Sequence, residues 1–353
     1  MDEKDYSYAN ARIRAMKSRL LDHHALNELT NKPDIDTLIA SLEETAYKNE
    51  LQKAGVEYSG ILQVETALRR DLVVSFRQIL RFFREEEERI SIRIILNRWD
   101  IQNIKTILRG KKINAHYDEI EENLVPAGEL DYAALIELAH QPDIRAVIDL
   151  LATWRIEYAR PLTRKLQEYL EKRDLAILEF ALDRFYLENA RSAFTGDDNY
   201  NQGIVLELLK TEIDVANIRM VLRVVRDRIH VEEPVEYLID GGKYLSMDQL
   251  VQMLAARSLE EVVKELIQTP FAFLAEVGRE DIIQERVSVL ERELELFLIK
   301  KGSGCFLKDP MSIAIPVGYI WAKQNEVTNI RIIARSIIGD VPEKEMQRVM
   351  TYV

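Results

Sequence analysis

A seven-residue motif recurs three times along this chain at almost constant spacing, and it constrains the possible folds more than any other feature. The motif reads Asn-Ile-[Lys/Arg]-x-[Ile/Val]-[Leu/Ala]-Arg and begins at Asn103, Asn217 and Asn329. The interval from the first copy to the second and the interval from the second to the third agree to within two positions. Self-similarity at a fixed period is the mark of a protein built from repeated units. The sequence therefore predicts three copies of one structural unit.

Other landmarks follow the same period. Gly128 stands as far after Asn103 as Gly242 stands after Asn217. A weaker copy opens the chain at Asn10, but the interval from there to Thr45 is clearly shorter than the corresponding intervals of the first two full copies, which end at Thr153 and Thr269. We therefore expect the first unit to lack about one short helix. The predicted domains are 1–112, 113–226 and 227–353.

The hydrophobic pattern has the period of an α-helix. Val64, Leu68, Leu72 and Phe76 follow one another at every fourth position, and Leu80 and Phe83 extend the same stripe. Such spacing places apolar side chains on one face of a helix. Alternation with a period of two, bounded by hairpin turns, is not sustained anywhere in the sequence. Only 13 Gly and 9 Pro occur among 353 residues, which suits long helices. We predict an all-α fold.

Charge and cysteine content exclude several classes of protein. The net charge of −12 opposes binding to nucleic acid or, unaided, to an anionic membrane. Cys305 is the only cysteine, so an intrachain disulfide cannot form, and a reducing, cytosolic location is expected. The apolar segment from Ile313 to Ala322 is interrupted by Pro316 and Gly318 and is about half the length that spans a bilayer. The first fifteen residues are rich in charge and lack the apolar stretch of a signal peptide. We therefore expect no signal peptide and no direct insertion into a membrane.

The sequence contains no arrangement of residues that indicates catalysis. The phosphate-binding pattern G-x-x-x-x-G-K-[ST] is absent, and Gly241-Gly242-Lys243 lacks the rest of it. Asp197-Asp198 resembles part of a metal-diphosphate motif, but Asn201 stands where a third Asp would be needed. The five histidines also fail to form a zinc-binding pattern; they are His23, His24, His116, His140 and His230. We expect no catalytic residue, no metal and no cofactor.

The repeated motif allows two interpretations. In the first, the apolar residues pack as a helix stripe, the Asn fixes a junction by hydrogen bonding, and the acidic residue three positions earlier caps the helix. In the second, the basic residues face an acidic partner. The first is favoured, because an unbonded Asn within a helix would be costly. The candidate structural or partner-facing residues are Asn103, Arg109, Asn217, Arg219, Arg223, Asn329, Arg331 and Arg335.

The connections between helices differ among the units. Breaker-rich segments, 195–203 and 301–310, predict loops in the second and third units. The corresponding segment of the first unit, 84–99, contains no breaker, so we expect one long helix or two helices joined by a smooth bend.

Several motifs together resemble the C subunits of archaeal and vacuolar-type rotary ATPases, the counterparts of the eukaryotic d subunit. The opening, from Tyr8 through Asn10-Ala11-Arg12 to Leu20-Leu21, is similar to the start of that family. The three repeated motifs, the segments 240–244 and 269–271, and Asp309-Pro310 before an apolar helix follow in the family's order. The resemblance covers nearly the whole chain.

The resemblance implies three similar helical domains in a funnel with pseudo-three-fold symmetry. It also implies a non-catalytic rotor subunit that connects the membrane ring of proteolipid (c/K) subunits to the central shaft, subunits D and F, and transmits torque. Such a subunit would lie on the cytoplasmic side of the membrane, attached through the ring. Two alternatives remain: a helical-repeat scaffold unrelated to ATPases, whose repeats would usually be about 34 to 47 residues long, and an all-α enzyme with its site at Asp197-Asp198.

Overall fold

The structure, a computed structural model, describes residues 6–84, 86–194, 199–229, 233–276, 282 and 284–352. Within these ranges every regular element is helical and β-strands are absent, so the predicted all-α class is confirmed. The α-helices, in chain order, are α1 (Ser7–Lys17), α2 (His23–Thr30), α3 (Ile35–Leu42), α4 (Lys48–Ala54), α5 (Gly60–Phe82), α6 (Glu86–Leu96), α7 (Arg98–Lys112), α8 (Tyr117–Glu121), α9 (Tyr132–His140), α10 (Ile144–Thr153), α11 (Ala159–Lys172), α12 (Ala176–Ser192), α13 (Tyr200–Asp227), α14 (Met247–Leu254), α15 (Leu259–Glu265), α16 (Val287–Ser303), α17 (Ala314–Ile338) and α18 (Glu343–Val349). Short 3-10 helices cover Pro234–Tyr237, Ala272–Ala275 and Gly304–Leu307.

The chain divides into two compact units. Unit 1 comprises Met1–Tyr186 and Ser303–Val353, and unit 2 comprises Leu187–Gly302. In unit 1 the long helix α17, near the C-terminus, packs against α1, α2, α3 and α5, so segments from both ends of the chain share one core. In unit 2 the long helix α13 packs against α14 and α15. The three predicted domains, 1–112, 113–226 and 227–353, and their pseudo-three-fold arrangement stay a prediction.

Helix α5 contributes the predicted apolar stripe to the core of unit 1. Val64, Leu68, Leu72 and Phe76 are all at most 2% exposed, as is Phe83 directly after the helix. Leu80 is partly exposed instead, because Ile79 takes the buried position of that turn. Phe83 adopts an extended conformation (φ −87°, ψ 132°) and ends α5. The helix therefore stops before the acidic run that follows it.

Pairs of short helices begin with side-chain caps at regular spacing. Asp22, Asp131 and Ser246 accept a backbone hydrogen bond at the starts of α2, α9 and α14. Capping by Asp and Ser satisfies N–H groups that have no partner within the helix. The next helix of each pair, α3, α10 or α15, is capped in the same way, by Asp34, Asp143 and Ser258. The short helix α8 precedes the pair α9–α10. The pair α2–α3 has no such helix before it, because α1 leads directly to α2.

The connections between the long helices are partly as predicted. After the break at Phe83, α6 and α7 are joined by Asn97 in a helical conformation (φ −62°, ψ −16°), which makes a smooth bend within 86–112. Of the predicted loop 195–203, residues 195–198 lie outside the described residues, and 200–203 belong to α13, which begins at Tyr200. In the predicted loop 301–310, α16 continues to Ser303 and a 3-10 helix follows directly. For the segment 84–99 the sequence predicts one long helix or two helices joined by a smooth bend. Arg84 is not helical and residue 85 lies outside the described residues, whereas 86–99 follow the form with two helices.

The apolar segment 313–322 forms the first part of α17 and is buried in unit 1. Gly318 lies against the backbone and ring of Phe306, where a Cβ atom would collide. The apolar character of the segment 313–322 therefore serves packing within the protein. Among the described residues, none of the helices combines the length and the hydropathy needed to cross a bilayer.

Candidate functional site

Each of the three repeated asparagines clamps a backbone segment that lies 22 residues further along the chain. The side chains of Asn103, Asn217 and Asn329 are at most 2% exposed. In every copy Nδ2 donates to the carbonyl oxygen, and Oδ1 accepts from the N–H, of one and the same residue, at distances of 2.6 to 3.0 Å. The clamped residues are Val125, Ile239 and Thr351. The amide thus satisfies both polar groups of a buried residue in a loop or terminal segment, which is the structural interpretation of the motif.

The acidic residues of the first two copies bind a second loop and do not cap their own helix. Asp100 accepts hydrogen bonds from the backbone N–H groups of Glu129 (2.8 Å) and Leu130 (3.1 Å). Asp214 accepts from those of Lys243 (2.9 Å) and Tyr244 (2.8 Å). The capping interpretation is wrong because Asp214 lies in the middle of α13, where the backbone N–H groups are already bonded within the helix.

Burial changes the acidity of these two carboxyl groups. Removal from water raises the pKa of Asp100 and of Asp214 to about 6, although the backbone N–H groups that each accepts from act in the opposite direction. Gly128 and Gly242 complete the contact, because a Cβ atom at either position would collide with the carboxylate. The constant interval between Asn and Gly in the sequence therefore reflects a close approach of backbone to carboxylate.

The third copy is completed by residues from the other end of the chain. Glu326 on α17 accepts hydrogen bonds from the Leu21 backbone N–H (2.6 Å) and from the Tyr47 hydroxyl (2.6 Å). Leu21 stands directly before the capping residue of α2, just as Leu130 stands before that of α9. The helix pair α2–α3 therefore has the same contact with α17 that α9–α10 has with α7. The sequence gives no direct signal of this pairing, since Leu21 and Glu326 are separated by 305 residues.

A buried charged cluster surrounds this third contact. Lys323 is 3% exposed and its Nζ lies 2.7 Å from Glu326, 2.8 Å from Asp71 on α5 and 2.8 Å from the Tyr47 hydroxyl. Burial alone would lower the pKa of Lys323, but Glu326 and Asp71 outweigh it and raise that pKa. Burial, together with Glu326, raises the pKa of Tyr47. The cluster links α17 to α5 through the pairing of Lys323 with Asp71, and links α17 to the segment around Tyr47 through hydrogen bonds to the Tyr47 hydroxyl.

The arginine that ends each motif binds a glutamate on a neighbouring helix. Arg109 makes two hydrogen bonds to Glu179 of α12, at 2.6 and 2.7 Å. The equivalent pairs are Arg223 with Glu291 of α16 (2.5 Å) and Arg335 with Glu65 of α5 (2.7 Å). The three glutamates follow one another in the sequence at the same two intervals as the three asparagines. Sequence reasoning missed them, although this shared spacing was a signal that could have found them.

The basic residue at the third motif position has no common role. Lys105 is buried and lies 2.5 Å from Asp183 of α12. Arg219 donates to the backbone oxygen of Glu291 at 3.3 Å. Arg331 is partly buried, and its removal from water lowers its pKa. Of the six basic side chains at the third and last motif positions, five thus contact other residues of this chain and Arg331 is partly buried.

The described residues contain no group of three or more His, Cys, Asp or Glu side chains that could hold a metal ion. His23 and His24 are exposed at the start of α2, and Cys305 is buried. Asp197, Asp198 and His230 lie outside the described residues, so the structure gives no test of the predictions made for them.

Comparison with known proteins gives the family. The family described as ATP synthase (C/AC39) subunit matches residues 9–349. The C subunit of the A-type ATP synthase of Methanosarcina acetivorans is 32% identical over 342 residues, which are 96% of this chain and 91% of that protein. The C subunits of the A-type enzymes of Methanococcoides burtonii and Methanocaldococcus jannaschii are 29% and 28% identical, over 96% and 99% of this chain and 92% and 87% of their own lengths. The resemblance inferred from the motifs is confirmed: the chain belongs to the ATP synthase (C/AC39) subunit family, whose members are structural and non-catalytic subunits of the rotary ATP synthase.

Proposed function

We propose that this chain is a central-stalk rotor subunit that connects the proteolipid (c/K) ring of the membrane sector to the shaft formed by subunits D and F. In this role it transmits torque between ion translocation and ATP synthesis or hydrolysis. It is attached through the ring, on the cytoplasmic side of the membrane. It binds no nucleic acid and needs no cofactor. Family membership and the names of the relatives support the proposal and argue against an unrelated helical scaffold.

The observation that carries the proposal is the threefold recurrence of the buried clamp. A part that transmits torque must resist shear between its helices, and a loosely packed bundle would yield. Each copy fixes a loop or terminal segment to a long helix through two Asn hydrogen bonds and through the carboxylate of the acidic residue. Buried hydrogen bonds of this kind contribute about 1 kcal/mol each and leave unpaired groups when broken. The clamps thus stiffen the helix packing within each of the two units.

A binding and coupling experiment tests the proposal. The purified chain is mixed with the detergent-solubilised proteolipid ring, with the D–F subcomplex, or with both, and the products are separated by size. We expect a complex that contains all three components. ATP synthase assembled without this chain is then placed in lipid vesicles, where we expect ATP-driven ion uptake to be lost and to return when the chain is added back. Binding to neither partner would contradict the proposal and would favour a scaffold outside the rotor.

A further inference from the structure

One surface of this acidic protein carries basic residues that the structure leaves without ionic partners. From Tyr6 to Leu21 and from Leu72 to Arg84 the sequence contains no Asp or Glu. These segments form α1 with the turn after it, and the C-terminal half of α5 with Phe83 and Arg84. Six arginines on them are exposed, and within the described ranges none takes part in an ion pair: Arg12, Arg14, Arg19, Arg77, Arg81 and Arg84.

Contacts between α1 and the end of α5 bring two of these arginines, Arg12 and Arg84, onto one surface. The Tyr8 ring meets the Phe82 ring edge-on at 6.5 Å, and the Arg12 guanidinium lies 5.5 Å from the centre of the Phe82 ring. Arg84 lies over Tyr8 at 6.0 Å. At the other end, Leu21 bonds Glu326, whose neighbour Lys323 bonds Asp71 at the middle of α5. α1 therefore runs antiparallel to the second half of α5, and we call the exposed face of the pair the α1–α5 basic surface.

The arrangement along α5 suits recognition of carboxylates. Arg77 and Arg81 are four positions apart, which places them on one face of the helix about 6 Å apart along its axis, and Arg84 follows just beyond the helix end. Val74, at 49% exposure, continues the row by one turn, and Tyr8 is 56% exposed beside Arg84. Arginine binds carboxylates through two parallel hydrogen bonds, and arginine and tyrosine are enriched where proteins bind one another. The row matches acidic side chains presented at a helical spacing.

The charge of the whole chain gives this surface its significance. The net charge of −12 opposes an acidic partner overall, whereas the arginines of the α1–α5 basic surface attract one locally. The motif arginines cannot supply this attraction, because Arg109, Arg223 and Arg335 already bind glutamates of this chain. We propose that the α1–α5 basic surface docks an acidic protein surface of a neighbouring subunit in the ATP synthase. The inference rests on the proposed function and adds to it the face used and the charge of the partner.

Two matched variants test the inference. The first carries Arg19→Gln, Arg77→Gln and Arg81→Gln, which lie on the α1–α5 basic surface and make no described contact that holds the fold. The control carries Arg145→Gln, Arg160→Gln and Arg164→Gln, three exposed arginines of α10 and α11 that also have no described ion pair. Both variants lose three positive charges. Circular dichroism and thermal unfolding first establish that both fold as the original chain does.

Binding is then measured to the proteolipid ring, to the D–F subcomplex and to phosphatidylglycerol vesicles, at low and at high salt. For one of the two protein partners we expect the surface variant to bind roughly tenfold more weakly at low salt, with a smaller difference at high salt, while the control stays within about twofold. Equal binding by both variants would overturn the inference and leave the proposed function intact. An effect confined to the vesicles would overturn it in favour of a membrane surface. Failure of the unaltered chain to bind ring or shaft would instead refute the proposed function, and the inference with it.

Discussion

Single buried polar side chains hold loop or terminal segments against the long helices α7, α13 and α17. A buried Asn that bonds both the N–H and the C=O of one residue leaves no polar group of that residue unpaired. An apolar residue of similar size would fill the space but strand both groups. The buried loop residue therefore requires the Asn. The Asn recurs in the sequence because each copy of the motif contacts a buried residue whose backbone N–H and C=O need hydrogen-bond partners.

Replacement of the unit 2 clamp residue tests this account. Asn217→Leu removes two buried hydrogen bonds to Ile239 and should lower the free energy of unfolding by roughly 1 to 3 kcal/mol. The control Gln252→Leu, at an exposed position of α14 in the same unit, should change it by about 0.5 kcal/mol or less. Urea unfolding followed by circular dichroism measures both. Equal effects of the two substitutions would remove the hydrogen bonds as the cause.

The buried carboxyl group of Asp214 predicts a dependence of stability on pH. Burial raises its native pKa to about 6, whereas an unfolded Asp titrates near 3.8. Between these values the native state holds a proton that the unfolded state has released, so the stabilisation is complete below about pH 4 and is lost as pH rises to about 6. We expect the free energy of unfolding of Asp214→Asn to fall less across this range than that of the original chain. Parallel pH profiles for the two proteins would show that Asp214 titrates normally in the folded state.

At the level of helices, one kind of contact occurs three times, and each time an Arg–Glu ion pair joins the two helices. Each of α7, α13 and α17 contributes the arginine, and each of α12, α16 and α5 contributes the glutamate. The arginine side chains are 54 to 58% exposed, so each pair lies at the edge of its contact and is screened by water. Such pairs set how adjacent helices align more than they stabilise the fold.

A triple variant separates this internal role from a role in binding. Arg109→Ala, Arg223→Ala and Arg335→Ala together should lower stability by only about 0.5 kcal/mol per pair, and should leave affinity for the ring and the D–F shaft unchanged. Thermal unfolding and the binding assay described above measure the two effects. A stable variant that binds more weakly would return these arginines to the partner-facing interpretation.

Across the whole molecule, the sequence was most informative where a residue type repeats at a fixed interval. The helical class, the α5 stripe and the three asparagines could be predicted in this way, and Glu65 and its two equivalents could have been. The carboxylate contacts could not, because Asp100 and Asp214 bind backbone N–H groups, which any residue except proline supplies. The completion of the third contact by Leu21 and Tyr47 also could not, since periodicity along a chain does not say that its two ends meet.

The contact between the two ends of the chain predicts which parts of unit 1 unfold together. Glu326→Gln keeps the shape of the side chain but removes the charge opposite buried Lys323 and weakens the bonds to Leu21 and Tyr47. We expect the free energy of unfolding to fall by roughly 1 to 3 kcal/mol. The loss is no larger because Asp71 still neutralises Lys323.

The loss should appear at both ends of the chain at once. Hydrogen exchange by mass spectrometry should speed up together in α2, in the segment around Tyr47 and in the middle of α17, since Glu326 joins all three. Glu65→Gln, which alters only the edge pair with Arg335 in the same unit, should leave these rates nearly unchanged. If Glu326→Gln accelerates exchange in α17 alone, the N-terminal segment is held by its apolar contacts, and the carboxylate does not tie the two ends together.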